Sequence, residues 1–238
     1  MSTPTPGRPG RPRRTAAELA AERRRVAHEA LRLFALHGVA GTSADDVARA
    51  AGVSVRTFWR LVPRKEDAVR PLLEDGVVAL AADVRARGLA GLLGVAGPGR
   101  TDTDRVDTGR TEAAPETASD TASDAEIRTL VRLTRTEPAV RGVWLDVHDG
   151  AESVLADALA ASRGEAVPGL GTRTTAAVVN AALRVAVEDW AWQEGDPDTE
   201  ATAASLARRV DEALRLAAEA LARRADDAAE AAPGSPAD

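Results

Sequence analysis

The sequence predicts an all-α protein, with an N-terminal three-helix unit followed by a larger helical domain. Three observations carry that expectation. Apolar residues make up 44% of the 238 residues, yet aromatics make up only 3% and there is no Tyr, so alanine and leucine supply the apolar content and favour helices over strands. Thr and Val form no regular alternating runs. Apolar residues instead recur at helical spacing through most of the chain.

The elements follow in order. Residues 1–14, with Gly7-Arg8-Pro9-Gly10-Arg11-Pro12-Arg13-Arg14, read as a disordered basic arm, because prolines and glycines forbid regular structure. A helix begins at Thr15; Val26, Ala30, Leu33 and Phe34 form one apolar stripe and Gly38 stops it. The second helix runs from Ser43 to about Ala51 and the third from Ser54 to about Leu61, where Pro63 ends it. A fourth starts near Arg64 and runs to about Arg87, with Pro71 kinking it or setting its early part apart as a turn.

Residues 88–123 are rich in Gly, Thr, Asp and Ser, and about 96–122 reads as a mobile loop. Helical patterning resumes at Asp124, where Ile127, Leu130, Val131 and Thr134 share a face. Pro138, with Glu137 ahead of it, fits the first turn of the next helix, in which Gly150 is a weak point. A Gly/Pro loop covers 164–171. Two long helices, about 172–194 and 199–224, close the chain around an Asp196-Pro197 turn, with Thr199 as N-cap of the second. The tail 227–238 reads as disordered.

The net charge of −6 hides an asymmetry. Residues 1–70 hold 14 Arg and Lys against 7 Asp and Glu, a net +7, and the remainder carries −13. The positive field lies at the N-terminal third, the sign a polyanionic partner requires. Lys65 is the only lysine; with the alanine richness, that is what a GC-rich coding sequence gives, as in many actinobacteria. Zero cysteines remove disulfides, thiolate metal sites and Cys nucleophiles. The N-terminus has no apolar run of a secretory signal, and no segment is long and apolar enough to span a membrane, so the cytoplasm is the expected location. There is no Gly-rich phosphate loop, metal-spaced His set or nucleophile elbow, so an enzyme, a cofactor and a metal are not expected.

Residues 42–65 hold the most specific signal. Ser43 suits an N-cap, and Asp45 and Asp46 suit the positive end of the helix that follows. Val47, Ala51, Val53, Phe58 and Val62 form a small shared core, Ala48 lies where the two helices cross, and Gly52 suits a turn position with positive φ. Ser54 caps the next helix. A capped helix, a small residue, a glycine four later, a second cap and a buried Phe together describe a helix-turn-helix.

With those residues in view, 23–70 resemble the DNA-binding domain of TetR-family transcriptional regulators. The run Ala30-Leu31-Arg32-Leu33-Phe34-Ala35-Leu36-His37-Gly38, then Thr42-Ser43-Ala44-Asp45-Asp46-Val47-Ala48, Ala51-Gly52-Val53-Ser54, Thr57-Phe58-Trp59-Arg60 and Lys65-Glu66-Asp67 carries the resemblance. It implies a homodimer on a palindromic double-stranded DNA operator, the third helix in the major groove. Val55, Arg56, Thr57, Trp59 and Arg60 are then the candidates to touch DNA, with Ser43 and Ser54 at the helix starts. Arg56 and Arg60 suit guanine edges or phosphates, Thr57 a phosphate, and Lys65 a phosphate. The family commonly has Tyr or Phe where this chain has Trp59, whose indole offers only an N–H donor.

Arg8 and Arg11 sit in a Gly-Arg-Pro context that resembles an AT-hook core. Two readings stay open: an arm in the minor groove, or a basic tail giving sequence-independent affinity. The resemblance also implies that the last two long helices form the dimer interface. The domain between the two ends is expected to bind a small-molecule effector. Trp144, His148, Arg184 and Trp190, with Glu188 and Trp192 nearby, are the candidate pocket residues, and the scarcity of aromatics favours a lipophilic effector. The expected function is a repressor released by that effector. The alternatives are a ligand-independent or architectural DNA-binding dimer, and an activator.

Overall fold

A computed structural model describes residues 15–92, 122–193, 205–206 and 208–219. The basic arm, nearly all of the 96–122 segment, the Asp196-Pro197 turn, the Thr199 cap and the C-terminal tail lie outside them. All regular structure among the described residues is helical. The elements are α1 (Ala16–His37), α2 (Ala44–Ala50), α3 (Val55–Leu61), a 3-10 turn (Lys65–Val69), α4 (Arg70–Leu92), α5 (Asp124–Leu133), α6 (Pro138–Arg163) and α7 (Leu170–Trp192). Helical residues 205–206 and 208–219 are called α8.

Local chemistry explains the starts. The Thr15 hydroxyl accepts from the Glu18 N–H while the Glu18 carboxylate accepts from the Thr15 N–H, and Ser43 with Asp46 and Ser123 with Glu126 repeat this reciprocal cap. Pro71 sits in the first turn of α4, where its missing N–H costs nothing. Of the two expectations for the stretch from Arg64, a kink or an early part set apart as a turn, the structure takes the second: a separate 3-10 turn precedes α4. Regular α4 geometry breaks at Gly88 (φ 65°, ψ 176°), next to the end expected at Arg87. Helix α6 runs unbroken through Gly150, and α7 starts two residues before the expected Thr172.

One apolar core runs from α1 and the helix-turn-helix (Val26, Phe34, Val47, Phe58) through the 3-10 turn and α4 (Val69, Leu72). It continues into α5, α6 and the end of α7 (Val131, Val143, Trp190). A second cluster joins α4, α6 and α7 through Val84, Leu155, Leu159 and Ala176. A third joins α7 to α8 through Val179, Leu183 and Leu214. Polar contacts lace the same seams: Arg24 grips Asp75 of α4 with bonds of 2.7 and 2.8 Å, and His28 Nδ1 lies 2.6 Å from Glu126 Oε1 of α5.

Candidate functional site

The helix-turn-helix is built from its caps inward. Ser43 and Ser54 accept from the N–H groups of Asp46 and Thr57, each at 3.1 Å, so both short helices begin at a defined residue. Hydrogen bonds from Ser43, first of all its hydroxyl, hold the Asp46 carboxyl below the usual range. Between the helices Ala48 is fully buried and Gly52 takes φ 67°, the left-handed conformation the turn needs. Phe58 is fully buried beneath α3. These contacts fix the face that α3 turns outward.

On that face Arg56, Trp59 and Arg60 are exposed, Trp59 to 49%. The other side of the Trp59 ring meets Phe58 edge-on at 5.1 Å. Neither Arg56 nor Arg60 has a hydrogen-bond or ion-pair partner among the described residues. Nearby arginines are committed: Arg49 to Asp46 at 3.1 Å, and Arg64 to Asp67 by two bonds of 2.9 and 3.0 Å. The Ser54 hydroxyl donates to Thr57 Oγ1 at 2.9 Å, leaving the Thr57 proton for an outside acceptor. Val55 is half-buried and packs on the core, so it offers less surface than its three exposed neighbours.

Lys65, expected as a phosphate contact, reaches back into the protein. Its ammonium donates to the Val39 carbonyl at 2.6 Å and the Thr42 carbonyl at 3.0 Å, both in the α1–α2 turn. The turn itself is closely made: Thr42 Oγ1 donates to the Gly38 carbonyl at 2.9 Å, and a Cβ on Gly41 would lie 2.3 Å from the His37 carbonyl oxygen.

Three of the four proposed effector residues come together between α6 and α7. The Trp144 indole N–H donates to Glu188 Oε1 at 3.0 Å, and its ring lies edge-on to His148 at 4.2 Å. Glu188, nearly buried, also faces Arg184 at 3.4 Å and Arg141 at 3.6 Å. His148 Nδ1 lies 2.8 Å from Asn180 Oδ1, and the Asn180 amide donates to the His148 carbonyl at 2.8 Å. Burial pushes the His148 imidazole below its ordinary pKa, opposed by the Asn180 hydrogen bond. Trp190 stands apart, 1% exposed under the Arg128 guanidinium of α5.

Asn180 and Arg141 were not among the sequence candidates. Asn180, Arg184 and Glu188 repeat every four residues, and that polar stripe on an apolar helix was the available signal. Sequence reasoning also missed the bridge from the helix-turn-helix side to α6. Arg70 meets Asp146 at 2.5 Å and Asp67 at 3.4 Å. The hydrogen bond from Arg64 leads the effects that hold the Asp67 carboxyl below its usual range.

A capped helix pair around a close crossing, its second helix carrying exposed arginines with no partner among the described residues, is the architecture of a helix-turn-helix DNA-binding transcriptional regulator. Residues 27–67 match the bacterial regulatory proteins of the tetR family, and residues 114–222 match the MftR C-terminal domain. The chain belongs to the TetR family of transcriptional regulators, a non-enzymatic family. It is 29% identical over 210 residues to the HTH-type transcriptional regulator TcmR of Streptomyces glaucescens, covering 87% of this chain and 88% of that one.

Among solved structures it is similar to Thermus thermophilus FadR, a TetR-family repressor in complex with lauroyl-CoA. That similarity has 21% identity and a TM-score of 0.38, and covers 91% of this chain and 98% of that chain. It is also similar to the fatty acid degradation regulator FadR of Bacillus halodurans, with 16% identity, 81% and 94% coverage and a TM-score of 0.40. No helix among the described residues is long and apolar enough to cross a membrane.

Proposed function

We propose that the protein is an operator-binding repressor that works as a homodimer and leaves DNA when a small-molecule effector binds. The observation that carries the DNA half is the outer face of α3, where two arginines without partners among the described residues accompany a half-exposed tryptophan. Arg56 and Arg60 make the charge-assisted contacts, Trp59 packs against the duplex and Thr57 reaches a phosphate. Arg8 and Arg11 add affinity from the arm. Dimerisation through α7 and α8 is supported by outward apolar residues on both, Val185 at 54% and Leu216 at 49% exposure.

The effector site is placed at the α6–α7 cluster of Trp144, His148, Arg184 and Glu188. Release follows if the effector binds better to a state in which α4 has moved, since α4 packs on α6 and is joined through Arg70 and Asp67 to the 3-10 turn. One observation favours a ligand-independent regulator instead: the polar groups of the cluster already satisfy one another. A thermal-shift screen of lipophilic compounds, followed by gel shifts with each hit, separates the two. A hit that raises the melting temperature and lowers DNA affinity supports release; hits that leave DNA affinity unchanged support the alternative.

A further inference from the structure

The α1–α2 turn is held from two sides. From the 3-10 turn, the Lys65 ammonium donates to the carbonyls of Val39 (2.6 Å) and Thr42 (3.0 Å). From the start of α6, Glu137 Oε1 accepts from the Val39 N–H at 3.3 Å. Thus both backbone polar groups of Val39 are reached by side chains outside the turn, its carbonyl also accepting from the Thr42 N–H at 3.3 Å. Val39 is 4% and Thr42 2% exposed, so water does not readily replace those partners. The next residue, Ser43, is the cap that sets where α2 begins. Glu137 is itself the N-cap position of α6 but makes no side-chain capping bond, so its carboxylate is not needed by its own helix.

On the reading that the chain binds an operator through α3, we propose that Lys65 and Glu137 are positioning residues that clamp the α1–α2 turn and set operator affinity without touching DNA. Lys65 spends two of its three protons inside the protein. Glu137 brings α6 into direct contact with the segment that presents the helix-turn-helix. The clamp is a link between the C-terminal helices and the DNA-reading face that does not pass along α4.

The two residues carry opposite charges, so their substitutions test the clamp independently. The probe is a duplex selected by the wild-type full chain from a random-sequence library, with affinity followed across a several-fold range of salt. Lys65→Met keeps the stem but loses the donors. It should weaken binding roughly tenfold or more, by the cost of two buried carbonyls that lose their ammonium donor, with the salt slope unchanged. Lys65→Gln, which keeps amide protons without charge, should recover part of the loss.

Glu137→Ala should also weaken binding, although it removes a negative charge that repels DNA. A salt slope that falls by about one for Lys65→Met would identify a phosphate contact and overturn the proposal. So would Lys65→Gln no better than Met, or Glu137→Ala binding as well as or better than wild type. Thermal melts report folding, and if Lys65→Met does not fold, Glu137→Ala carries the test. A wild-type chain that selects no duplex at all contradicts the operator-binding reading instead.

Discussion

At the scale of single residues, the commitments of each arginine separate structure from recognition. Arg24, Arg49, Arg64 and Arg70 are tied to carboxylates, whereas Arg56 and Arg60 are exposed and have no partner among the described residues. Arg56→Ala and Arg60→Ala should therefore each weaken DNA binding by about 1–3 kcal/mol while moving stability by less than about 0.5 kcal/mol. Parallel binding and melting measurements check this; a large stability loss with normal binding contradicts it. His148 is a different case. Burial lowers its pKa, so the folded chain takes up its proton later than the unfolded chain as pH falls. Stability is lost on acidification below about 6.5, the ordinary imidazole value. His148→Gln should show a smaller drop in melting temperature than wild type between about pH 7.5 and about pH 5.5; an equal drop would assign the effect to other groups.

At the scale of elements, helix starts were legible in the sequence and helix partners were not. Ser43, Ser54 and Pro138 act through neighbours within three residues, so chain order alone placed α2, α3 and α6. The hub at Glu188 depends on the rotation of α7 against α6. Arg184 stands four residues before Glu188 and so is a neighbour the sequence spacing allows, while Arg141 and the Trp144 N–H enter only with the fold. Lys65 shows the same limit, since its partners are 23 and 26 residues away. Gly150, expected as a weak point, lies inside an unbroken α6 with nothing within 4 Å of where a Cβ would be. Gly150→Ala should thus stabilise the protein by about 0.5–1 kcal/mol, raising the melting temperature by about 2 °C. No change, or a fall, would mean that α6 needs its flexibility there. Gly41→Ala should do the reverse, because its Cβ would meet a backbone oxygen at 2.3 Å.

At the scale of the whole molecule, the division into a helix-turn-helix and a C-terminal helical domain is not a division of the core. One apolar cluster runs from Phe58 beneath α3 to Trp190 near the end of α7, and Arg70 spans the same boundary to Asp146. A close-packed core transmits displacement poorly by deformation and well by rigid-body movement. In the proposed release, a change among α6 and α7 would reach the DNA-reading face through α4 and through the α1–α2 turn. The charge distribution supports the same division of labour: +7 over residues 1–70 draws the chain to DNA, and −13 over the rest keeps the other surface off it. The decisive experiment is a footprint of the full chain on the duplex it selects, with the Arg56→Ala/Arg60→Ala double variant beside it. A homodimer that reads its operator through α3 should protect a discrete two-fold symmetric site bound by two chains, its half-sites about one helical turn apart or slightly more, lost in the double variant. An asymmetric or diffuse footprint, or one the double variant reproduces, would contradict it.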